Sequence, residues 1–488
     1  MSHCCGPNGP DTRPTSRRQF LRRAGGGFGM LALASLLDRD GLLAADSPLR
    51  APSSAFPNPL DPHAPHFAAK AKRVIFLFMS GGPSHVDLFD PKPELIRLAG
   101  QPIPESFGTF KTRRAVAKNK LLAPVRPFQA RGQCGMEVSD FLPHIAERVD
   151  DICLLRGCYC DSVTHPESVY QMNTGSILMG KPSLGSWVTY GLGTENQNMP
   201  AFVVMPDPTG WVKGGAPAWG NGFLPATFQG TILRRGTSPI LNLNSPKDVS
   251  AEQQQATVDF INKLNRENLP AGEEDSELAA RIAAYELAFR MQTHAQEVVE
   301  LSKESEATKQ LYGIDKKATT EFGTRSLLAR RMVERGVRFV QLYCGDTNGW
   351  DGHSDVAGNH DKLCAASDQP VAGLLKDLKS RGLLDSTLVI WGGEFGRMPM
   401  SEAGNGRDHN PHGFCMWLAG GGVKGGQVIG ATDEVGLRAA VDKTHVHDIH
   451  ATLLHLLGFD HTRLTFRHNG RNERLTDVSG NVIQKALA

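Results

Sequence analysis

Val74-Ile75-Phe76-Leu77-Phe78-Met79 is an unbroken apolar run that stops at Ser80-Gly81-Gly82-Pro83. A strand with one wet face alternates apolar and polar residues, so a run without alternation predicts a strand buried on both sides, as in a parallel sheet covered by helices. The pattern recurs at Ile152 to Leu155, Ala201 to Met205, Val337 to Tyr343, Thr387 to Trp391 and Phe414 to Ala419. Helical stretches fall between, at Ser168 to Asn173, Asp275 to Leu311, Arg325 to Arg335, Gln369 to Arg381 and Val446 to Leu457. In the last, Ile449, Leu453, Leu456 and Leu457 share a face and Gly458 supplies the stop. The alternation predicts an α/β fold with a central, mostly parallel sheet, helices on both faces, and ligands bound beyond the carboxyl ends of the strands.

At 488 residues the chain is long enough for one large domain with insertions, and 40% hydrophobic with 21% charged residues is an ordinary globular balance. The N-terminus reads separately. Ser16-Arg17-Arg18-Gln19-Phe20-Leu21 has the twin-arginine pattern, followed by an apolar, Gly-rich run from Ala24 to Leu37 and small residues at Ala44-Ala45. That run falls short of the roughly 20 residues of a spanning helix. The expectation is a signal peptide over 1–45, export as a folded protein by the twin-arginine translocase, a periplasmic or extracellular location, and no stable membrane span once the signal is removed. A Pro-, Ser- and Ala-rich linker over 46–71 leads to the domain at 72–488, with an insertion around 207–320.

The first 45 residues hold six Arg against three Asp, leaving 47 basic and 48 acidic side chains beyond them. On that balance no basic stripe is evident and no nucleic-acid partner is expected. Cys4 and Cys5 lie in the signal; the other seven cysteines form no paired CxxC motifs and read as buried hydrophobes, with room for one bridge at most.

The chemistry sits where the strands end. Val340 to Tyr343 runs into Gly345-Asp346-Thr347-Asn348-Gly349-Trp350-Asp351-Gly352-His353, where Asp351 and His353, two apart, can turn towards one cation. Thr387 to Trp391 delivers Gly392-Gly393-Glu394-Phe395-Gly396-Arg397, in which Glu394 can bind a hard cation and Arg397 can grip a pair of anionic oxygens. Gly406-Arg407-Asp408-His409-Asn410-Pro411-His412 adds three more candidate ligands, Asp408, His409 and His412, and a second arginine. His85 and Asp87 follow the first strand. Thr164-His165-Pro166 opens a helix, where a hydroxyl in the field of the N-terminus and next to a metal could ionise and attack. Gly420 to Gly426 lacks the spacing of a phosphate loop and reads as a turn, and His447, His450 and His455 on the last helix read as packing residues or as supports behind the site.

This order of parts, from the Thr164-x-Pro166 helix through Trp350-Asp351-x-His353, Gly393-Glu394-Phe395-Gly396-Arg397 and Arg407-Asp408-His409-x-x-His412 to Asp448-Ile449-x-x-Thr452-Leu453-Leu454-x-Leu456-Leu457-Gly458, resembles the alkaline phosphatase-like superfamily. Within it the chain is most similar to a large family of twin-arginine-exported, sulfatase-like proteins classed as a domain of unknown function. The resemblance implies hydrolysis of phosphate or sulfate esters of small molecules or glycans, with one or two divalent metals, zinc above all and calcium or manganese otherwise. It implies Asp351, His353 and His409 or His412 as ligands of one metal, Glu394 at a second, and Thr164 as nucleophile; on the residues themselves His165 joins Thr164 as a catalytic candidate, and Arg397 and Arg407 are expected to neutralise the transferred group. His85 or Asp87 would replace the acidic ligand that the superfamily carries where Ser80 stands, and Phe395 stands where it carries a ligand histidine. The formylglycine precursor of the sulfatases has no counterpart. A binding or accessory protein recognising an anionic glycan on the same fold is the alternative.

Overall fold

The computed structural model describes residues 58–234, 239–240, 249–267, 283–284, 286–291, 297–345 and 347–488. The twin-arginine segment, its apolar run, Cys4, Cys5, Asp346 and parts of the expected linker and insertion lie outside the described residues. Residues 59–488 form one compact unit. The chain joins it ahead of Lys72: Phe67 donates to Gly458 O and Lys70 to Leu456 O.

The strands begin with β1 (Arg73–Met79), followed by the one-turn helix α1 (His85–Leu88), β2 (Ile152–Tyr159), α2 (His165–Thr174), α3 (Leu184–Leu192), β3 (Phe202–Met205) and β4 (Thr231–Ile232). The second half supplies α4 (Thr320–Glu334), β5 (Phe339–Cys344), α5 (Val356–Ser380), β6 (Thr387–Gly392), a hairpin of β7 (Gly396–Glu402) and β8 (Gly406–Asn410), then β9 (Phe414–Ala419), β10 (Gln427–Ile429), β11 (Thr444–His445) and α6 (Val446–Leu456). The sheet order is β10-β2-β9-β6-β1-β5-β3-β4, with β11 beside β2. Every pairing is parallel except those of β9, which runs against both β6 and β2. The sheet is therefore mostly parallel, as the unalternating runs require.

Both faces are covered. Ile75, Leu77 and Met79 of β1 join a core with α4 and α5, while Val74, Phe76 and Phe78 join one with α2, α3 and α6. The final helix matches its expected span to within one residue, and Gly458, at φ +85°, follows it. Two helix expectations need correction. The stretch from Asp275 is not one helix to Leu311, because Leu301–Lys303 is a separate tight turn and Ser305 caps a new helix over Glu306–Leu311. The helix expected from Gln369 starts at Val356, where the Asp355 carboxylate caps it, and it carries Pro370 inside. Leu184–Leu192 and Ala251–Glu267 are helices that periodicity did not single out.

Among the described residues no helix is long and apolar enough to cross a membrane. The seven cysteines from Cys134 to Cys415 are all free thiols, six of them buried.

Candidate metal centre

The reversed strand β9 explains the site's location. Entering from the rim where the parallel strands end, it lets the hairpin β7–β8 leave β6 and return without crossing the sheet. The loops after β2, β5 and β6 and the hairpin thus share one rim. Arg407, Asp408 and His409 lie on β8 itself, not in a loop. Pro399, which has no N–H, sits where the hairpin ladder slips: Arg407 pairs with Ser401, but His409 pairs with Arg397.

Asp351 is the centre of the arrangement. His165 Nε2 is 3.0 Å from Asp351 Oδ2, His353 Nε2 is 2.9 Å from Oδ1, and His409 Nε2 is 3.2 Å from Oδ1. One ligand atom from each of these four residues lies within 4.8 Å of the others. The opposite nitrogen of each ring is tied elsewhere. Nδ1 of His165 lies 2.6 Å from Glu394 Oε1, Nδ1 of His353 is 2.6 Å from Glu402 Oε2, and Nδ1 of His409 is 2.7 Å from Val163 O. A carbonyl only accepts, so His409 donates through Nδ1, and in its neutral form its Nε2 carries a lone pair. Burial lowers the His409 pKa to about 3, so that form is the one present at neutral pH.

These placements decide what the group suits. A neutral imidazole facing a carboxylate oxygen sets acceptor against acceptor. His165 Nε2 is buried and makes no hydrogen bond despite its 3.0 Å approach to Asp351. Three imidazole lone pairs and a carboxylate turned on one point form a donor set for a divalent transition metal, with outer acceptors on the far nitrogens that fix the tautomers. Burial alone would raise the Asp351 pKa, but the three imidazoles closed around it and the nearby Arg397 charge hold it well below the usual range, so it is a carboxylate.

The other residues named from sequence take different places. Both Glu394 oxygens accept the Gly81 N–H, at 3.0 and 3.1 Å, so this carboxylate supports His165 from behind. The first-strand loop approaches through its backbone: a Cβ on Gly81, at φ +110°, would meet Trp350 N at 2.6 Å. His85 is outside the group, with Nε2 2.8 Å from Gly436 O. Asp87 is outside as well, paired to Arg407 Nε at 2.7 Å with both side chains fully buried. Arg407 also donates to the carbonyls of Met398, Pro399, Leu122 and Ala123. Arg397, equally buried, donates to Gly81 O, Gly82 O and Arg407 O and to Asp351 Oδ1 at 2.7 Å, so it braces a ligand. His412 points to Lys111 O at 3.1 Å. Phe395 stacks on His409 at 4.6 Å and lies 4.8 Å from His165, an apolar wall to two ligands. Thr164 is the N-cap residue of α2, its hydroxyl 3.3 Å from Ser162 Oγ.

Sequence reading missed Glu402 and Lys213 and left His165 out of the ligands. Glu402 precedes Ala403-Gly404-Asn405-Gly406, a turn signal that places it opposite the His409 strand. Lys213 Nζ lies 2.6 Å from Asp351 Oδ2 and comes from the Gly-rich insertion, where no periodicity marks it. A second cluster of His353, Glu402 and Asp408 shares His353, whose Nδ1 already serves Glu402. Asp408 accepts from the backbone N–H groups of Arg114 and His409, at 2.7 and 2.8 Å.

Solved structures with a similar chain course include a sulfatase from Pseudoalteromonas sp. (13% identity, 80% of this chain and 68% of that one, TM-score 0.33). Others are the lipoteichoic acid synthase from Listeria monocytogenes (9%, 86% and 78%, 0.35) and alkaline phosphatase from the Antarctic bacterium TAB5 (10%, 72% and 92%, 0.29). Similarity of that order carries no residue's role across. No curated protein matches the sequence. The family model described as "Protein of unknown function (DUF1501)" matches residues 71–487, so the chain belongs to that family.

Proposed function

We propose that this protein is a hydrolase of phosphate or sulfate esters on an alkaline phosphatase-like fold, working with one divalent ion held by His165, Asp351, His353 and His409. One observation carries the reading: three histidines hand their Nδ1 protons outward and turn Nε2 on a single carboxylate. Three nitrogen donors favour zinc over calcium, which prefers a shell of oxygens. When bound, such an ion polarises an ester oxygen and makes a hydroxyl or a water nucleophilic near neutral pH. Thr164, at the head of the helix that carries His165, is the side chain we assign as nucleophile, with a water as substitute. Ser162 Oγ, hydrogen-bonded to Glu167, offers its proton a path outward. With both arginines engaged inside the fold, Lys213 is the cation we assign to the anionic oxygens of the ester.

Metal analysis and an ester screen test this together. One ion per chain and turnover of an aryl phosphate or sulfate are expected. A chain that takes up neither zinc nor manganese and is inert on every ester would end the proposal.

The burial of Arg397 and Arg407 favours one other reading, a binding or accessory protein for an anionic glycan. Thr164→Ala separates the two: an enzyme loses its rate, whereas a binder keeps its affinity. We further propose export by the twin-arginine route to the periplasm or beyond, with Arg17→Lys plus Arg18→Lys expected to hold the protein in the cytoplasm.

A further inference from the structure

Between Glu105 and Glu137 the chain carries no acidic residue, and Lys111, Arg113, Arg114, Lys118 and Lys120 fall within ten positions. The near-neutral total hides this run, which the charge balance of the whole chain passed over. All five side chains are exposed. Only Arg114 has an ion-pair partner among the described residues, Glu402 at 3.1 Å.

The segment is fixed to the metal centre. Leu121 bridges Met400 in antiparallel fashion, and Ser401 N donates to Lys120 O at 2.8 Å, so it borders the hairpin that bears His409 and Glu402. Arg114 N donates to Asp408 at 2.7 Å, and the Glu402 that its guanidinium holds supports His353. Beyond Asp351, Lys213 is two residues from Trp211, which is 45% exposed and stacks on Trp219 at 5.9 Å.

We infer that this basic strap binds an extended anionic polysaccharide. Unpaired, solvated cations in a row recognise repeated anionic groups more than a single one. A reader of duplex DNA presents a helix or ribbon to the groove, and a binder of single strands interleaves aromatic platforms. The strap has neither: no aromatic falls between Lys111 and Lys120, and Phe110 just before it packs against Arg438. One exposed Trp near the centre suits the apolar face of a sugar ring. Binding stands apart from the hydrolytic proposal, on which only the fate of the bound chain rests.

The test uses the full chain with fluorescein-labelled dextran sulfate, neutral dextran and an oligo-dT of similar charge, followed by anisotropy over a salt series. Dextran sulfate is expected to bind with an affinity that falls steeply with salt, and neutral dextran not to bind. The combined Lys111→Ala, Arg113→Ala, Lys118→Ala and Lys120→Ala variant should lose at least tenfold in affinity and most of the salt slope. Replacing the three lysines by Arg should retain both. Metal content of all variants should equal that of the parent, which separates loss of the strap from loss of the centre. Undiminished binding by the alanine variant overturns the inference, and oligo-dT binding as tightly as dextran sulfate overturns the assignment to a saccharide.

Discussion

Replacing Glu402 by Ala removes the acceptor behind one ligand histidine without touching the ligand set. The Glu402 carboxylate lies 2.6 Å from His353 Nδ1, a charge-assisted hydrogen bond that fixes the ring's tautomer and raises the basicity of Nε2. Loss of such an outer partner costs tenfold to a hundredfold in metal affinity, or about 1.4 to 2.7 kcal/mol. The upper half of that range is expected. Among the three histidines only His165 and His353 lean on carboxylates, and Val163 offers His409 a neutral carbonyl. Glu394→Ala is the less clean probe, because Glu394 is 1% exposed and also holds the Gly81 N–H, so the fold would suffer too. Glu402→Gln keeps an acceptor oxygen but no charge and should fall between parent and alanine variant. The assay is zinc competition against a chromophoric chelator at pH 7.5, with Asp351→Asn as the variant expected to lose the ion. If the alanine variant holds zinc as tightly as the parent, the carboxylate is not supporting a metal ligand and the geometry has been misread.

Other outcomes follow from buried groups. Burial depresses His450 to about 3, with His447 beside it adding to the effect, while the unfolded side chain titrates near the ordinary histidine value of 6.5. The unfolded state therefore takes up a proton below 6.5 that the folded state refuses until about 3, so stability is complete above 6.5 and is lost as pH falls. His450→Gln should flatten the fall between pH 6 and 4 by about 1.4 kcal/mol per pH unit in urea titrations, and an unchanged slope would count against burial as the cause. Arg407→Ala strands the buried Asp87 carboxylate and should cost about 3 to 5 kcal/mol in the same titrations, with a lower melting temperature in place of a stable but inactive protein. Gly81→Ala forces a side chain into the Trp350–Asp351 backbone at φ +110°, costing about 1 to 3 kcal/mol, and should lower the bound metal per chain measured by mass spectrometry.

What could be read from the sequence depended on the range of the forces involved. The both-face burial of β1, β5, β6 and β9 is a local pattern, so those strands stand almost where their apolar runs lie. Asp351, His353 and His409 were visible because imidazole and carboxylate cluster at strand ends. Arg397 and Arg407 misled for a long-range reason: the Gly81 and Gly82 carbonyls that hold the first and the Asp87 carboxylate that holds the second come from a segment more than 300 residues away, and pairing of that kind leaves no trace in nearby sequence. His165 looked like a companion to Thr164 until α2 placed its ring against Asp351. The Asp275 stretch was charged and unbroken enough to suggest one helix, and nothing in its periodicity announced the new start at Ser305.

The hairpin of β7 and β8 is held at both roots, by β6 on one side and by β9 on the other. Its tip is pinned as well, with Asn405 O taking the Val356 N–H at 3.0 Å and Asn405 Oδ1 the Asp355 N–H at 3.0 Å. A span anchored at three points cannot swing open to admit an ion or close over one afterwards. Loading should therefore proceed at a rate set by access from solvent, and the stripped protein should keep the shape of the filled one.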